Sequence, residues 1–500
     1  MRLKEALADI PGVECAGDRL AEIQGIAYDS RHVEHGYLFV AIKGEKTDGN
    51  AFIRQAIDRG AAAVASERDY PADPQVAFLR VSDARKFLAQ VSRSFFGNPS
   101  ARLKLVGITG TNGKTTTSFL LHSIFQCANF RSCLAGTLGM KLGETPYPSA
   151  HTTPEASDLA WFLHQAVTEG CTHGAVEVSS HALVLKRVWG TTFRTGVFTN
   201  LTPEHLDFHG DMESYFQAKR VLFLPDGGNG VEGAVINTDD PYGKRLRESI
   251  ACRVLTYGFG PDADIRVLDW QGRIDSTRVR MTTPAGELTL RARLVGPPHV
   301  YNIMAATGAA LSVGIGLDSI RLGIENLAGV PGRMELVSAG QPFTVIVDYA
   351  HTPDALAKLL ETVASLPHGR LITVFGCGGD RDRKKRPVMG EIAGRLSDFV
   401  VATSDNPRTE DPSAILAEIE PGLQRSTHSY KIDPDRRTAI GAAISMAGEG
   451  DAVVIAGKGH EDYQIIGNRV YPFDDRVVAR ELIVQLLKPQ AARSNRELHQ

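Results

Sequence analysis

The stretch "VGITGTNGKTTTSFLLHSIF", residues 106–125, decides the fold of the central part of this chain. It predicts an apolar strand from Leu103 to Ile108, a glycine-rich turn, and an amphipathic helix that begins at Lys114. The glycines of such a turn let backbone N–H groups point toward phosphate oxygens, and the helix N-terminus adds a partial positive charge. Lys114 supplies a point charge at the outer phosphates, and the Thr115 hydroxyl suits Mg²⁺.

This loop is a variant of the usual phosphate loop. The strict pattern has its first glycine at the position of Ile108, whereas this chain has Gly107 and Gly110. The alternative interpretation is a strand-to-helix turn that binds no ligand. A phosphate loop alone does not identify a reaction either, because pumps, GTPases and kinases all use one.

Apolar strands alternate with helical stretches over the rest of the chain, which predicts an α/β fold. "GAVEVSS", "TGVFTN" and "GAVINT" indicate parallel βαβ units, and "STRVRMTTPAGELTLRARL" indicates a hairpin. Four later strands, "FTVIVDYA", "RLITVFGCGGD", "DFVVATSDN" and "DAVVIAGKG", predict a separate doubly wound domain. The breaks "FFGNPSARLK" and "LAGVPGRME" predict three domains, at residues 1–98, 99–330 and 331–500.

Composition narrows the class of protein. The chain has 500 residues, a net charge of −3 and a hydrophobic share of 43%, typical of a globular protein of more than one domain. The chain has no overall excess of basic residues of the kind that would indicate nucleic-acid binding. It also has no long apolar run of the kind that would indicate export or a membrane span. The six cysteines form no CxxC pair, which favours a reducing cytoplasm.

Polar residues at two further strand ends are candidates for metal binding. Glu177 ends the strand of "GAVEVSSHA", and His205 follows that of "FTNLTPEH". Mg²⁺ prefers oxygen ligands, so Glu177 together with Thr115 is a reasonable site and His205 a less typical addition. Taken alone, Glu177 also fits a surface carboxylate, and His205 an ordinary hydrogen-bonded histidine.

The chain as a whole resembles the Mur ligases, ATP-dependent amide-forming enzymes of peptidoglycan precursor assembly. The resemblance covers nearly all 500 residues. It is carried, in order, by "GITGTNGKTT", "EVSSHAL", "TNLTPEHLDFHGDMESYFQAKR", "GPPHVYNIMAA", "GVPGRME", "DYAHTPDAL", "GGDRDRKKRP" and "SDNPRTEDP". Within the family the chain looks like the MurE type, which adds diaminopimelate. The resemblance implies an N-terminal UDP-binding domain, a central phosphate-loop ATPase and a Rossmann-like C-terminal domain that binds the amino acid.

The resemblance also implies a reaction. The γ-phosphate of ATP goes to the D-Glu side-chain carboxylate of UDP-N-acetylmuramoyl-L-alanyl-D-glutamate, and an amine of meso-diaminopimelate attacks the acyl phosphate. Phosphorylation turns a poor electrophile into one with a good leaving group, so one difficult step becomes two easier ones. The expected cofactors are ATP and Mg²⁺. The expected enzyme is a cytoplasmic monomer with no nucleic acid or membrane partner.

Candidate residues follow from the matched motifs. ATP would be held by Gly110, Thr111, Asn112, Gly113, Lys114, Thr115, Thr116, Asn302, Arg333, Asp348 and His351. The resemblance implies that Thr115, Glu177, His205 and a carbamylated Lys219 surround Mg²⁺, and that the ATP site is completed when the third domain closes on the second. Periodicity alone predicts instead that Lys219 is a solvated helix residue.

Ser30 looks like a uridine-side contact, and contacts to the sugar-peptide portion would come from Thr152, Thr153, Ser179 and Arg187. Leu185 replaces a glutamine of many MurE-type sequences, which removes one polar contact.

The third domain would choose the amino acid. Ligands of open α/β sheets bind outside the carboxyl ends of the strands, and four predicted strands end at residues that we expect to face one crevice. These residues are Asp348, Arg381, Asp405, Arg408, Gly457 and Glu461. Selection of diaminopimelate over lysine requires recognition of an extra carboxylate, for which a guanidinium fork is suited.

Arg408 and Arg381 are the candidates for the carboxylate, and Glu461 or Asp405 for the distal ammonium. Asn406 and Pro407 would fix the turn that presents Arg408. The basic run "DRDRKKRP" predicts a solvated loop that partly faces phosphate or carboxylate groups, rather than a nucleic-acid patch. Rival interpretations are a folylpolyglutamate synthetase, a lysine-adding MurE-type ligase, and a phosphate-loop switch or motor without amide chemistry.

Overall fold

The computed structural model of the chain describes residues 1–44, 47–71, 75–149, 151–225, 228 and 230–497. Its backbone contacts divide it into two compact units. The first comprises residues 1–268, 281–288 and 301–324, and the second comprises 269–280, 289–300 and 325–500. The three domain ranges predicted from the sequence stay predictions.

The N-terminal part is a small α/β sheet in the order β1-β5-β4-β3-β2, in which β1 alone runs antiparallel to its neighbour. Its strands are β1 Glu14–Ala16, β2 Gly25–Ala27, β3 Tyr37–Val40, β4 Ala63–Ser66 and β5 Ala77–Arg80. Its helices are α1 Leu3–Ala6, α2 Ile53–Asp58 and α3 Ala84–Phe95, with 3₁₀ turns at Ser30–His32 and Gly49–Phe52. The Asp83 carboxylate caps α3 by accepting from the backbone of Lys86, as expected of Asp before a helix.

The central part contains a large sheet whose order is β16-β15-β14-β13-β12-β11-β6-β10-β7-β8-β9. The strands are β6 Lys104–Thr109, β7 Ser132–Gly136, β8 Gly139–Leu142, β9 Thr145–Tyr147, β10 His173–Glu177, β11 Phe193–Phe198, β12 Val231–Asn237, β13 Arg253–Gly258, β14 Ile265–Gly272, β15 Thr277–Thr283 and β16 Gly286–Ala292. The helices are α4 Lys114–Cys127, α5 Ala156–Thr168, α6 Ser180–Val184, α7 Leu206–His209, α8 Met212–Arg220, α9 Pro241–Glu248, α10 Pro297–Ser312 and α11 Leu317–Asn326, with 3₁₀ turns at Pro99–Arg102 and Val221–Phe223.

Strand β6 lies between β10 and β11 and is parallel to both. Parallel strands end at the same edge of a sheet. The residues that follow β6, β10 and β11 are therefore brought together although they are far apart in sequence. This topology positions the candidate site.

The C-terminal part has a sheet in the order β17-β18-β22-β19-β20-β21, parallel except for β17, and a separate antiparallel hairpin of β23 and β24. The strands are β17 Glu335–Leu336, β18 Thr344–Asp348, β19 Leu371–Phe375, β20 Phe399–Ala402, β21 Tyr430–Ile432, β22 Ala452–Ala456, β23 Tyr463–Ile466 and β24 Arg469–Pro472. The helices are α12 Pro353–Ala364, α13 Lys385–Leu396, α14 Pro412–Ser426, α15 Arg436–Met446 and α16 Asp475–Glu497. Strands β19 and β22 are buried along their whole length, as expected of a parallel sheet covered on both faces.

A buried ion pair fixes the carboxyl edge of this C-terminal sheet. Arg436 and Asp475 are fully enclosed, and the Arg436 guanidinium also donates to the carbonyls of Ser404, at 3.1 Å, and Ala456, at 3.0 Å. One side chain thus holds the ends of β20 and β22, which flank the predicted crevice.

The α/β prediction is confirmed, with helices and parallel sheets where the strand and turn signals indicated them. The predicted hairpin is also present, as β15 and β16. Within the described residues, no helix has the length and apolar character needed to cross a membrane.

Candidate active site

The glycine loop after β6 requires glycine at two of its positions. Gly110 and Gly113 have φ angles of +147° and +89°, which side chains disfavour. A Cβ at Gly110 would collide with the Thr199 hydroxyl, and one at Gly113 with the amide oxygen of Asn302. The loop therefore approaches both side chains closely. The predicted ATP residue Asn302 does lie against the loop.

The segment after β11 holds this loop in place. The backbone N–H of Thr111 donates to the carbonyl of Asn200, at 2.9 Å, and that of Asn112 donates to the Asn200 side chain, at 3.0 Å. In return the Thr199 hydroxyl donates to the carbonyl of Asn112, at 2.6 Å. These hydrogen bonds restrain the loop backbone and thereby fix the directions of its N–H groups.

Lys114 and Lys219 converge on one carbonyl of the loop. The ammonium of Lys114 donates to Gly110, at 2.9 Å, and to Thr111, at 2.8 Å, and Lys219 donates to the same Gly110 oxygen, at 2.9 Å. Lys219 is only 1% exposed, so the interpretation of it as a solvated helix residue is wrong. Burial, together with the nearby charge of Lys114, lowers the pKa of Lys219 well below its usual value.

Glu177 is completely buried at the end of β10, which excludes the alternative of a surface carboxylate. It accepts from the hydroxyls of Thr115 and Thr137 and from the backbone N–H of Thr137, each at 3.0 Å. Thr115 and Glu177 are thus in direct contact, as the predicted metal site requires.

His205 lies at the start of α7 with a φ of +57°, and its side chain is 45% exposed. Burial and the positive charges of Lys114 and Lys219 lower its pKa, although Glu204 acts in the opposite direction. The centre of its ring lies 6.3 Å from that of Tyr215, and the Lys219 ammonium lies 4.6 Å from the same Tyr215 ring, so His205 faces the same part of the site.

The oxygen donors of this site suit Mg²⁺. A carboxylate and a hydroxyl are the protein ligands that Mg²⁺ takes beside waters and phosphates, and Glu177 and Thr115 supply them. No cluster of three or more His, Cys, Asp or Glu side chains able to hold a metal occurs among the described residues. The parts of His205 and of a carbamylated Lys219 in metal binding stay predictions.

The residues predicted to contact the sugar-peptide portion meet beside Glu177. The Thr153 hydroxyl donates to the carbonyl of Glu177, at 2.8 Å, and accepts from the backbone of Ser179, at 3.1 Å. Ser179 also caps α6. Arg187 donates to the carbonyl of Thr153, at 3.2 Å.

Two neighbouring contacts extend this group. Arg187 forms an ion pair with the nearly buried Glu155, at 2.8 Å. The hydroxyl oxygens of Thr152 and Thr137 lie 3.3 Å apart. Ser30 is buried in the N-terminal part, where its hydroxyl donates to the Gln55 side chain, at 2.8 Å.

In the C-terminal unit, Asp348 organises the backbone around the end of β18. Its carboxylate accepts from the N–H groups of Met334, at 2.7 Å, and Ala350, at 2.8 Å, and burial raises its pKa. The Arg333 guanidinium lies 5.2 Å from the centre of the Tyr349 ring, and the His351 ring bonds the Tyr349 carbonyl, at 2.8 Å. Arg333, Asp348 and His351 thus form one local group.

The arginine turn, residues 404–412, holds Arg408 in an unusual backbone conformation with a φ of +51°. The hairpin of β23 and β24 binds it on both sides: Arg408 N–H donates to the Ile465 carbonyl, at 3.0 Å, and its carbonyl accepts from Gly467, at 2.6 Å. Its guanidinium Nη1 donates to the Gly379 carbonyl, at 2.8 Å. The arginine is therefore fixed at both its backbone and its tip.

Asn406 links the arginine turn to the segment after β22. Its amide donates to Glu461, at 2.8 Å, and its amide oxygen accepts from Lys458, at 3.2 Å, and from the backbone of Ile465, at 2.9 Å. Lys458 is fully buried and also pairs with Glu461, at 3.2 Å. Glu461, a candidate for the distal ammonium, is thus already engaged by two partners of the protein.

The remaining crevice residues lie at the same edge. Gly457 has a φ of +122°, and a Cβ there would lie 2.6 Å from the Asp405 carboxylate. Arg381 is exposed and donates to the carbonyl of Asp380, at 3.1 Å. The carboxyl ends of β19, β20 and β22 therefore meet, as the strand-end rule predicted.

Three family models match the chain in succession. They are "Mur ligase family, catalytic domain" at residues 22–96, "Mur ligase middle domain" at 108–310, and "Mur ligase, glutamate ligase domain" at 332–459. The UDP-N-acetylmuramoyl-L-alanyl-D-glutamate--2,6-diaminopimelate ligase of Solibacter usitatus (strain Ellin6076) is 46% identical over 485 residues, which cover 97% of this chain and 98% of the relative. The chain belongs to the Mur ligase family.

Solved structures of Mur ligases have the same fold as this one. A UDP-N-acetylmuramoyl-L-alanyl-D-glutamate--2,6-diaminopimelate ligase superposes with a TM-score of 0.72 at 34% identity, covering 97% of this chain and 99% of that one. The MurF ligase of Thermotoga maritima in complex with ADP superposes with a TM-score of 0.62 at 19% identity, covering 95% and 99%. The family and the fold implied by the sequence motifs are both confirmed.

Some site residues of this Mur ligase were missed by the sequence reasoning although a signal existed. Thr137 follows β7 and Asn200 follows β11, and both strands belong to the central parallel sheet. The strand-end rule that identified Glu177 would have found them too.

The burial of two further residues, both cations, carried no local signal. Lys458 and Arg386 are fully buried, yet each lies in a polar segment. The prediction of a solvated loop for "DRDRKKRP" is wrong at Arg386, which is buried on α13. The run does face carboxylates there, since Arg386 pairs with Glu410 and Glu418. Burial of a cation becomes visible only when its partner carboxylates, distant in sequence, are known.

Proposed function

We propose that this Mur ligase adds meso-2,6-diaminopimelate to the D-Glu γ-carboxylate of UDP-N-acetylmuramoyl-L-alanyl-D-glutamate, with ATP as phosphoryl donor, in the cytoplasm. The printed activity of a relative that is 46% identical over 97% of the chain supports this assignment. The structural observation that carries it is the fixed guanidinium of Arg408 at the carboxyl edge of the C-terminal sheet. Among the described residues only its Nη1 is bonded, to Gly379, so Nε and Nη2 remain for a carboxylate.

The glycine loop is the proposed ATP site. The N–H groups at the start of α4 and the ammonium of Lys114 match a triphosphate in charge and in donor type. Gly110, Thr111, Asn112, Gly113, Thr115, Thr116 and Asn302 would complete the contacts of the loop with ATP. The parts of Arg333, Asp348 and His351 in ATP binding stay predictions from the resemblance. Support for ATP comes also from the shared fold with a MurF ligase that was solved with ADP.

Thr115 and Glu177 would hold Mg²⁺, with His205 and a carbamylated Lys219 as further proposed ligands. When bound, Mg²⁺ neutralises charge on the phosphates during transfer. A lowered pKa favours the neutral amine of Lys219, which is the form that reacts with CO₂ to give a carbamate.

The side chains of the chain itself then position the reactants. Lys114 stabilises the negative charge that develops on the transferring phosphoryl group. Thr152, Thr153, Ser179 and Arg187 would orient the peptide carboxylate, and Ser30 would contact the uridine side. The acyl phosphate carries its own leaving group, so the amine attacks it directly and the reaction needs no nucleophile from the protein.

The C-terminal crevice would select the amino acid. Arg408 and Arg381 would bind the carboxylate that diaminopimelate has and lysine lacks, with Glu461 or Asp405 near the distal ammonium and Asn406, Pro407 and Gly457 shaping the backbone. An analogue without that carboxylate would leave a charged donor unpaired. Sites built on such polar pairs can discriminate by as much as ~10⁴-fold.

A panel of amino acids tests this function. Phosphate release is measured with ATP, the UDP-linked dipeptide and either meso-diaminopimelate, lysine or ornithine. We expect turnover with diaminopimelate and little with the other two. Equal turnover with lysine would contradict the proposed selectivity, and ATP hydrolysis without the dipeptide would contradict ligase activity altogether.

A further inference from the structure

Two loops at the carboxyl edge of the C-terminal sheet are bonded to each other. The first, the β19 loop, comprises residues 376–382, and the second is the arginine turn. Gly379 N–H donates to the Asn406 carbonyl, at 2.9 Å, and the Gly379 carbonyl accepts from Arg408, at 2.8 Å. The oxygen that fixes the tip of Arg408 therefore belongs to the β19 loop. Its position controls the direction of the guanidinium.

The β19 loop has a strained residue next to that carbonyl. Asp380 has a φ of +53°, similar to the +51° of Arg408, and neither is glycine. Such conformations cost roughly 1 to 3 kcal/mol each and persist only where the surroundings hold them. Asp380 is held by the arginine turn: its N–H donates to the Glu410 carboxylate, at 2.6 Å, and its own carboxylate accepts from the Thr409 hydroxyl, at 2.7 Å.

Glu410 is in turn held by a buried arginine. The two guanidinium nitrogens of Arg386 donate to the two carboxylate oxygens of Glu410, at 2.8 and 2.9 Å, which is the bidentate geometry. Arg386 is fully buried and also donates to the Gly378 carbonyl, at 3.3 Å, and to Glu418, at 2.8 Å. One guanidinium thus anchors both loops to helices α13 and α14.

We propose that Glu410 is a positioning residue for amino-acid recognition: clamped by Arg386, it fixes Asp380 and the Gly379 carbonyl, and through them the fork of Arg408. The inference rests on the proposed function, and within it Glu410 does not touch the substrate. A bidentate fork binds a carboxylate well only when its direction is held within a small angle. The ion pair of Arg386 and Glu410, here called the clamp, supplies that restraint in addition to the hairpin.

The chain offers a matched control for this role. Glu410 and Glu418 both pair with Arg386, at 2.8 Å, and their side chains have similar exposures of 22% and 29%. Glu418 lies on α14, and its hydrogen bonds go to the guanidinium groups of Arg383 and Arg386. Removal of either carboxylate disturbs Arg386, but only Glu410 bonds the β19 loop.

The test compares Glu410→Ala with Glu418→Ala in the full chain. For each variant, KM and kcat are measured for diaminopimelate, ATP and the UDP-linked dipeptide, and kcat/KM is measured for diaminopimelate against lysine. We expect Glu410→Ala to raise the KM for diaminopimelate by about 10-fold, since misplacement of a binding group by about 1 Å can cost up to ~100-fold. The KM values for ATP and for the dipeptide should stay unchanged, and Glu418→Ala should leave all three unchanged.

The outcomes separate the two proposals. If the wild type uses diaminopimelate but the two variants have the same KM for it, the positioning role of Glu410 is wrong and the ion pairs serve stability alone. If the wild type does not use diaminopimelate, the proposed function itself fails. Glu410→Gln, which keeps an acceptor for the Asp380 N–H, guards against misfolding of the alanine variant, and we expect an intermediate KM for it.

Discussion

The central site and the C-terminal site of this Mur ligase hold their positive charges in different ways. In the central site, the Lys114 ammonium donates to the carbonyls of Gly110, at 2.9 Å, and Thr111, at 2.8 Å. In the C-terminal site, Arg408 is bonded at its backbone N–H, its carbonyl and its guanidinium tip. The first arrangement depends on one flexible side chain that bonds two carbonyls of the loop, and the second on a backbone and a fork that are fixed together.

This difference matches the two proposed tasks. A phosphoryl group moves during transfer, and the compact ammonium of a lysine can follow it by rotation about its four-carbon stem. Recognition of a carboxylate requires two parallel bonds of fixed direction, which the planar guanidinium supplies only if it is held still. The comparison therefore predicts that loss of charge harms the central site most, whereas loss of geometry harms the C-terminal site.

The largest effect is expected from Lys114→Met. Removal of the cation at the outer phosphates should lower kcat by about 10² to 10³-fold, as loss of one transition-state donor does in other enzymes. Steady-state phosphate release measures it. Lys141→Met, a change at a half-exposed lysine on β8 of the same unit, should leave kcat unchanged. If the two variants have a similar kcat, Lys114 does not take part in the proposed phosphoryl transfer.

Arg408→Lys should come next. The charge is kept but the fork is lost, so kcat/KM for diaminopimelate should fall by about 10²-fold while ATP binding stays nearly intact. The amino-acid panel measures kcat/KM for diaminopimelate, and nucleotide titration measures ATP binding. Arg425→Lys, at an arginine paired with Glu391 on the helix surface, is the control. Undiminished use of diaminopimelate would refute the role of Arg408.

A smaller effect is expected from Gly467→Ala in the hairpin. Gly467 donates to the Arg408 carbonyl and has a φ of +59°, with nothing within 4 Å of an added Cβ. The left-handed conformation costs a non-glycine residue roughly 1 to 2 kcal/mol, so the turn should shift and the KM for diaminopimelate should rise by about 5-fold.

Gly340→Ala is the matched control for the hairpin variant, because Gly340 has a φ of +95° and equally open surroundings in the same unit. Both variants should lose similar thermal stability. Only the hairpin variant should change the KM. If Gly340→Ala raises the KM equally, the effect reflects general strain and not the position of Arg408.

The smallest effect concerns the acid stability of the clamp. Hydrogen bonds from Arg386 lower the pKa of Glu410 from 4.5 to about 2. A folded pKa below the unfolded value means that the stabilisation is present above pH 4.5 and is lost as the pH falls toward 2. The difference in melting temperature between wild type and Glu410→Gln should therefore be present at neutral pH and shrink below pH 4.5. A constant difference would indicate a contribution independent of this carboxylate's charge.

Local signals made much of the fold predictable. The strand before the glycine loop was expected at residues 103–108 and occurs at Lys104–Thr109, because apolar runs and glycine turns act over a few residues. Glu177 and Arg408 could be proposed because each follows a predicted strand, and strand ends of one sheet converge. The site roles assigned by resemblance remain predictions for the experiments above.

The burial of Lys219, Arg386 and Lys458 was not predictable in this way. Each is a cation in a polar segment, and each is enclosed by partners that the local pattern does not reveal. The bond from Lys219 to Gly110 joins residues 109 positions apart, and that from Lys458 to Asn406 joins residues 52 apart. Only the chain path between the strands brings these groups together.

The sequence by itself determined the order of strands and helices, the glycine loop and its lysine, the turn that carries Arg408, and the family. These features depend on local propensity and on motifs that are contiguous in the chain. The tertiary structure alone decided that Lys219 is buried with a lowered pKa, and that the half-buried Glu410 is held by Arg386 in the clamp. The physical reason is that desolvation and ion pairing depend on distances between groups far apart in sequence, and those distances are set only when the sheets form.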